Sequence, residues 1–138
     1  MTGGEISGFI GRGGINIASG GTFNMSGGLI TGNIAGVTVA SQWISVSGTF
    51  IMNGGTISNN DNPSTSEKSA VWVNSTGTFT MNTGTIRDNL FVNPVGGGVY
   101  VANGGTFNGI VGNDYHASGP LWQAHIFGNT PNNVFIGP

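Results

Sequence analysis

The sequence predicts an all-β fold, a right-handed single-stranded parallel β-helix of about five coils of roughly 24–29 residues with three short strands each. Three observations carry that expectation. One phrase recurs four times: Thr22-Phe23-Asn24-Met25-Ser26-Gly27-Gly28, Thr49-Phe50-Ile51-Met52-Asn53-Gly54-Gly55, Thr78-Phe79-Thr80-Met81-Asn82-Thr83-Gly84 and a degraded Thr106-Phe107-Asn108-Gly109. Its phenylalanines lie 27, 29 and 28 residues apart, a fixed period that marks a stacked repeat. Around them β-branched and aromatic residues alternate with polar ones at period two, while no stretch sustains a 3.6-residue apolar period.

The first strand of each unit is Ile15-Asn16-Ile17, Ile44-Ser45-Val46, Val71-Trp72-Val73 and Val99-Tyr100-Val101. The second carries the Phe-x-Met alternation. Phe23, Phe50, Phe79 and Phe107 are expected to stack in one interior column and Met1, Met25, Met52 and Met81 in the next, with Thr22, Thr49, Thr78 and Thr106 facing out. The third is marked by Ile30, Ile57, Ile86 and Ile110. An asparagine follows each after three residues, at Asn33, Asn60, Asn89 and Asn113, where the chain is expected to turn on a residue that tolerates the left-handed conformation. Equivalent strands of successive coils then pair at about 4.8 Å and build three parallel sheets in a rod on the order of 25 Å long. Parallel crossovers are overwhelmingly right-handed, which sets the expected hand.

Met1 to Gly8 matches Met25 to Gly32, so the sequence opens in mid-unit and reads as a segment of a longer array. Residues 1–113 are read as repeat coils and residues 114–138 as an irregular last coil or cap of the same domain. Composition agrees with a stacked core: 27 glycines, no cysteine, three Lys or Arg, five Asp or Glu and a net charge of −2. The glycines follow no three-residue rule, which excludes collagen, and hydrophobes in register argue against disorder.

The stretch Gly96-Gly97-Gly98-Val99-Tyr100-Val101-Ala102-Asn103-Gly104-Gly105-Thr106-Phe107 and the Phe-x-Met-x-Gly-Gly-x-Ile-x-x-Asn pattern from Phe23 to Asn33 resemble the right-handed β-helix repeats of bacterial and archaeal surface proteins, autotransporter-passenger and adhesin-like. The resemblance covers most of residues 1–113. It implies an architectural role at the cell surface or outside the cell, with any export signal upstream of this segment. It supplies no catalytic motif and no cofactor, because the same solenoid hosts adhesins, lyases and fibre proteins.

Charge placement is the sequence's own functional clue. Arg12, Asp61, Glu67, Lys68 and Asp114 fall in variable segments after the third strand, and Glu5, Arg87 and Asp88 on that strand or at its end. In solenoids insertions collect on one side, often the binding side. The contact surface for a glycan or a surface protein is therefore expected at Asp61, Glu67, Lys68, Arg87, Asp88, Asp114, Tyr115, His116 and Trp122, with Trp43 and His125 nearby. The plainer reading is that loops hold whatever polar residues the strands exclude.

Other functions are weighed on the same residues. A polysaccharide lyase or hydrolase needs paired carboxylates, or calcium with a base, and Asp61, Glu67, Lys68, Asp88 and Asp114 are the groups at hand. Asp61, Glu67 and Lys68 share one loop and Asp88 and Asp114 could approach from adjacent coils, but no pair recurs at the one-coil spacing that would place carboxylates directly above one another on a strand face. Asn59-Asn60-Asp61-Asn62 lacks the spacing of a calcium loop, and His116 and His125 have no cysteine or helix to complete a metal site, so neither metal nor catalytic residues are expected. Arg12, Lys68 and Arg87 are too few to neutralise a phosphate backbone or hold an acidic membrane, and no run of apolar residues is long enough to span a bilayer. The outward row of Thr and Asn has ice-binding geometry, weakened by Ile51. Asn24-Met25-Ser26 and Asn74-Ser75-Thr76 match a glycosylation sequon that an Asn/Ser/Thr-rich chain produces by chance. A coil edge at Met1 offers unpaired backbone groups, from which head-to-tail self-association into a fibre is the remaining alternative. The expectation is a non-enzymatic adhesin-like rod, with the enzyme as first alternative and the self-stacking subunit as second.

Overall fold

A computed structural model describes residues 1–11, 14–35, 43–63, 69–91, 97–109, 124–127, 129 and 134–137. Among them every regular element is a β-strand. In chain order these are β1 (Glu5–Ser7), β2 (Ile10–Gly11), β3 (Ile15–Ile17), β4 (Thr22–Met25), β5 (Leu29–Thr31), β6 (Ile34–Ala35), β7 (Ile44–Val46), β8 (Thr49–Ser58), β9 (Asp61–Asn62), β10 (Val71–Val73), β11 (Thr78–Arg87), β12 (Leu90–Phe91), β13 (Val99–Val101), β14 (Thr106–Gly109), β15 (Ala124–Phe127) and β16 (Val134–Ile136). All pairings are parallel, and each joins strands about one repeat apart in sequence, save that β15 and β16 return from farther along. The protein is a parallel β-solenoid, as the periodicity predicts.

The first sheet runs β16-β13-β10-β7-β3 and holds strands with Ile or Val at both ends of a three-residue run. The second has seven strands along β1-β5-β8-β11-β14, with β4 added on β8 and β15 on β11. The third, β12-β9-β6-β2, is made of two-residue strands. The partition differs from the sequence expectation. The strands marked by Phe and by Ile share one sheet, and in the two middle units they fuse into the ten-residue strands β8 and β11. The third sheet lies beyond the asparagine, where the sequence suggests only a variable segment.

A glycine seat lies at the junction of the two strands in each unit, whether they fuse or stay separate as β4 and β5 do. Gly28, Gly55 and Gly84 have φ of 90°, 86° and 108°, so the strand kinks while its pairing continues through register shifts between Met81 and Thr85. A Cβ at these glycines would stand 2.6 Å from Cε of Met1, Met25 and Met52 respectively. The methionine of one coil thus lies over the glycine of the next. Met-x-Gly-Gly is therefore a packing unit as well as a turn signal.

The interior is a set of columns. Phe23 and Phe50 have centroids 5.3 Å apart, Phe50 and Phe79 4.6 Å with planes 9° apart, and Phe79 and Phe107 5.3 Å. Burial of each central ring contributes roughly 1.5–3 kcal/mol. Met25, Met52 and Met81 are buried beside them, Ile30, Ile57, Ile86 and Ile126 form the next column, and Ile44, Val71, Val99 with Val46, Val73, Val101 line the opposite wall. The expected Phe and Met columns are present as read.

The column above Ile86 corrects one expectation. Its register partner there is Ile126, not Ile110, which lies outside the described residues together with Asn113. Ile126 precedes Asn129 by three residues, the same spacing as Ile30 and Asn33. Two segments of the sequence carried that signature, and the fold pairs the later one with β11.

Candidate functional site

Asparagine builds the fold's polar spine. Asn33, Asn60 and Asn89 are fully buried, and Asn129 nearly so. Asn33 Nδ2 donates to Asn60 Oδ1 at 2.9 Å, Asn60 Nδ2 to Asn89 Oδ1 at 2.9 Å, and Asn89 Nδ2 to Asn129 Oδ1 at 2.8 Å. Each Nδ2 also donates to the carbonyl of the isoleucine one coil back: Ile6, Ile30, Ile57 and Ile86. The amide supplies both a donor pair and an acceptor, and no other uncharged side chain of this size does. Among the described residues every buried side-chain nitrogen and oxygen is hydrogen-bonded.

The left-handed residue is the one before the ladder asparagine, which corrects the expected turn. Asn59 and Asp88 have φ of 53° and 55°, at the position that Gly8 and Gly32 occupy in earlier coils. Asp88→Gly is therefore expected to leave stability within about 1 kcal/mol of the parent, whereas Asp88→Val costs about 1–2 kcal/mol because a branched Cβ resists that conformation. Urea unfolding of the two variants checks this.

Of the sequence-predicted contact residues, the structure places three. Asp61 opens β9 and is the register partner of Ile34 and Leu90, while Arg87 and Asp88 sit just before β12 on the adjacent coil. These three share one edge of the solenoid. Arg87 Nη1 donates to Asp88 Oδ2, but both side chains are more than 40% exposed, so the pair adds little to stability. Glu67, Lys68, Asp114, Tyr115, His116 and Trp122 lie outside the described residues, as does Arg12. Among the described residues no three His, Asp or Glu groups converge on a metal position, and no helix is long and apolar enough to cross a membrane.

Trp43 is a correction. It is 1% exposed and belongs to the core, not to a contact surface. Gly14 leaves room for the indole, since a Cβ there would be 2.6 Å from Trp43 Cε3, and Nε1 donates to the Asp61 carbonyl at 3.5 Å. His125 lies in β15 opposite Thr85.

The aromatic feature that the loop argument misses is on a strand. Trp72 and Tyr100 are register partners on the outer face of the first sheet, with ring centroids 3.9 Å apart and planes 20° apart. Tyr100 is hemmed on its far side by the tail, where a Cβ on Gly137 would be 2.7 Å from the Tyr100 hydroxyl. On the near side the column continues with Ser45 and then Asn16, both small. Asn74 Nδ2 donates to Ser45 Oγ at 3.1 Å and Ser47 Oγ at 2.9 Å, fixing both hydroxyls. Val-Trp-Val and Val-Tyr-Val, one period apart, already signal two large rings turned outward.

Comparison with protein-family models, with curated proteins and with solved structures finds no match to this chain.

Proposed function

We propose that this chain is a non-enzymatic segment of a secreted or cell-surface β-helical protein, adhesin-like, in which the coils act as a rigid rod and the outer surface meets a glycan or a protein. In this reading the winding is right-handed and comprises about five coils. The supporting observation is continuity: the Phe and Ile columns and the buried asparagine row pass from coil to coil through the described solenoid. A solenoid whose stability comes from nearest-neighbour stacking transmits position along its axis, which suits a spacer that holds a contact surface away from its anchor.

The test is incubation with polysaccharides of several classes, followed by assay of both retention and products. The expected result is saturable binding with no new reducing or unsaturated sugar ends. Release of such ends would sink the reading in favour of the lyase or hydrolase. Light scattering across about a hundredfold range of concentration separates the second alternative, because stepwise growth into rods marks a self-stacking subunit.

A further inference from the structure

We propose that the outer face of the first sheet at Trp72 is a binding site for an uncharged saccharide, which stacks on the indole face turned toward Ser45. The proposal rests on the reading of the chain as a non-catalytic, glycan-contacting segment and names where that contact is made.

Register supplies the geometry. Trp72 and Tyr100 stack across adjacent coils, so their contact runs along the solenoid axis and the second face of the indole looks back toward the level of Ser45. Below Trp72 the outward positions are a serine and then Asn16, so the step beneath the ring spans two coil levels, about 10 Å. One face of the indole is thus covered and the other stands over small polar side chains.

The polar groups at that step have unused capacity of the kind a sugar needs. Ser45 Oγ accepts from Asn74 and keeps its own proton to donate. Asn74 directs its Nδ2 protons to two serines, which leaves Oδ1 as an acceptor. Asn16 is exposed, and among the described residues neither its amide nor Trp72 Nε1 has a partner. Donors and acceptors therefore alternate beside an aromatic face, and the electron-rich face of the ring attracts the C–H side of a pyranose.

Charge decides the ligand class. The outward positions Asn16, Ser45, Trp72 and Tyr100, and the neighbouring row Ala18, Ser47, Asn74 and Ala102, include no Asp, Glu, Lys or Arg. A uronate or a phosphorylated ligand finds no counter-ion there, while an uncharged sugar loses nothing by its absence. Preorganisation adds to affinity: the stack with Tyr100 holds the indole before the ligand arrives, so little side-chain freedom is lost on binding.

The test follows the indole Nε1–H signal of Trp72 by NMR during titration with neutral glucose, galactose, mannose and xylose oligomers, with galacturonate oligomers as the charged comparator. The signal is assigned by its loss in Trp72→Phe. Expected is a saturable shift with at least one neutral oligomer and, by isothermal titration calorimetry with that oligomer, at least tenfold weaker binding in Trp72→Ala and in Ser45→Tyr, which fills the step while leaving Trp72 in place. Thermal melts confirm that both variants fold. Failure of every neutral oligomer to move the signal, or preference for the galacturonates, overturns the proposal. Undiminished binding in both folded variants removes the site but leaves the broader glycan-contact reading intact. Cleavage of the bound oligomer would instead sink the non-catalytic reading and leave the location standing.

Discussion

Asn60→Ala is expected to lower the unfolding free energy by about 3–4 kcal/mol, because it strips partners from several buried groups at once. Asn60 Oδ1 accepts from the backbone N–H of Asn33 at 3.3 Å and from Asn33 Nδ2 at 2.9 Å, and its own Nδ2 reaches Ile30 O and Asn89 Oδ1. Truncation leaves those groups in a dry interior. For a domain of this size the midpoint of thermal unfolding should fall by on the order of 10 °C or more. Asn60→Asp separates shape from chemistry. A carboxylate still accepts from Asn33 but has no proton for Ile30 or Asn89, and burial disfavours its charge, so its folded-state pKa is raised above the unfolded value. The sign follows: the variant is most stable below the unfolded carboxyl's range and loses stability as pH rises through the folded value. Melts at about pH 4 and about pH 7 should show the gap to the parent widening at the higher pH. An unchanged gap would mean that the ladder carries no such burden.

The second large effect is steric. Gly77 immediately precedes Thr78-Phe79, and a Cβ there would lie 2.1 Å from the Val46 carbonyl oxygen and 2.9 Å from its carbon. Both are backbone atoms of the neighbouring coil, so no rotamer change relieves the contact. Gly77→Ala is expected to cost about 3 kcal/mol or more, through separation of adjacent coils. Two further glycines serve as controls on the same axis. Gly20 has φ of 78° with open space around it, so Gly20→Ala should cost only about 1–2 kcal/mol. Gly3 meets neither restriction, and Gly3→Ala should be close to neutral. Urea unfolding of the three variants that fails to rank them in this order would contradict the inter-coil contact at Gly77.

These two effects mark what local pattern reveals and what it does not. The interior Phe and Met positions follow from alternation and period alone, because a parallel strand that buries one face repeats its burial when its neighbour repeats the sequence. The asparagines were also legible as positions, yet their role was not. A turn residue and a ladder residue look alike in one chain, and only the stacking of coils places Asn33, Asn60 and Asn89 side by side in the interior. The left-handed conformation falls instead on Asn59 and Asp88, one residue earlier.

The contact surface was the least legible. Asp61, Arg87 and Asp88 do share an edge, but Trp43, read among the loop aromatics, packs over Gly14 in the core. The outward pair Trp72 and Tyr100 belongs to strands that looked purely structural.

By itself the sequence determined the β-solenoid class, the period and the identity of the main interior columns, since those depend on side-chain alternation repeated at one-coil spacing. Tertiary structure alone decided three further matters. Kinks at Gly28, Gly55 and Gly84 join two expected strands into one sheet. Ile126 and Asn129, rather than the nearer Ile110 and Asn113, continue the columns over Ile86 and Asn89. Trp72 has one ring face covered by Tyr100 and the other turned toward Ser45. Each is a choice among partners distant in sequence, and it is made by which coil lies next to which, a quantity that no local spacing encodes.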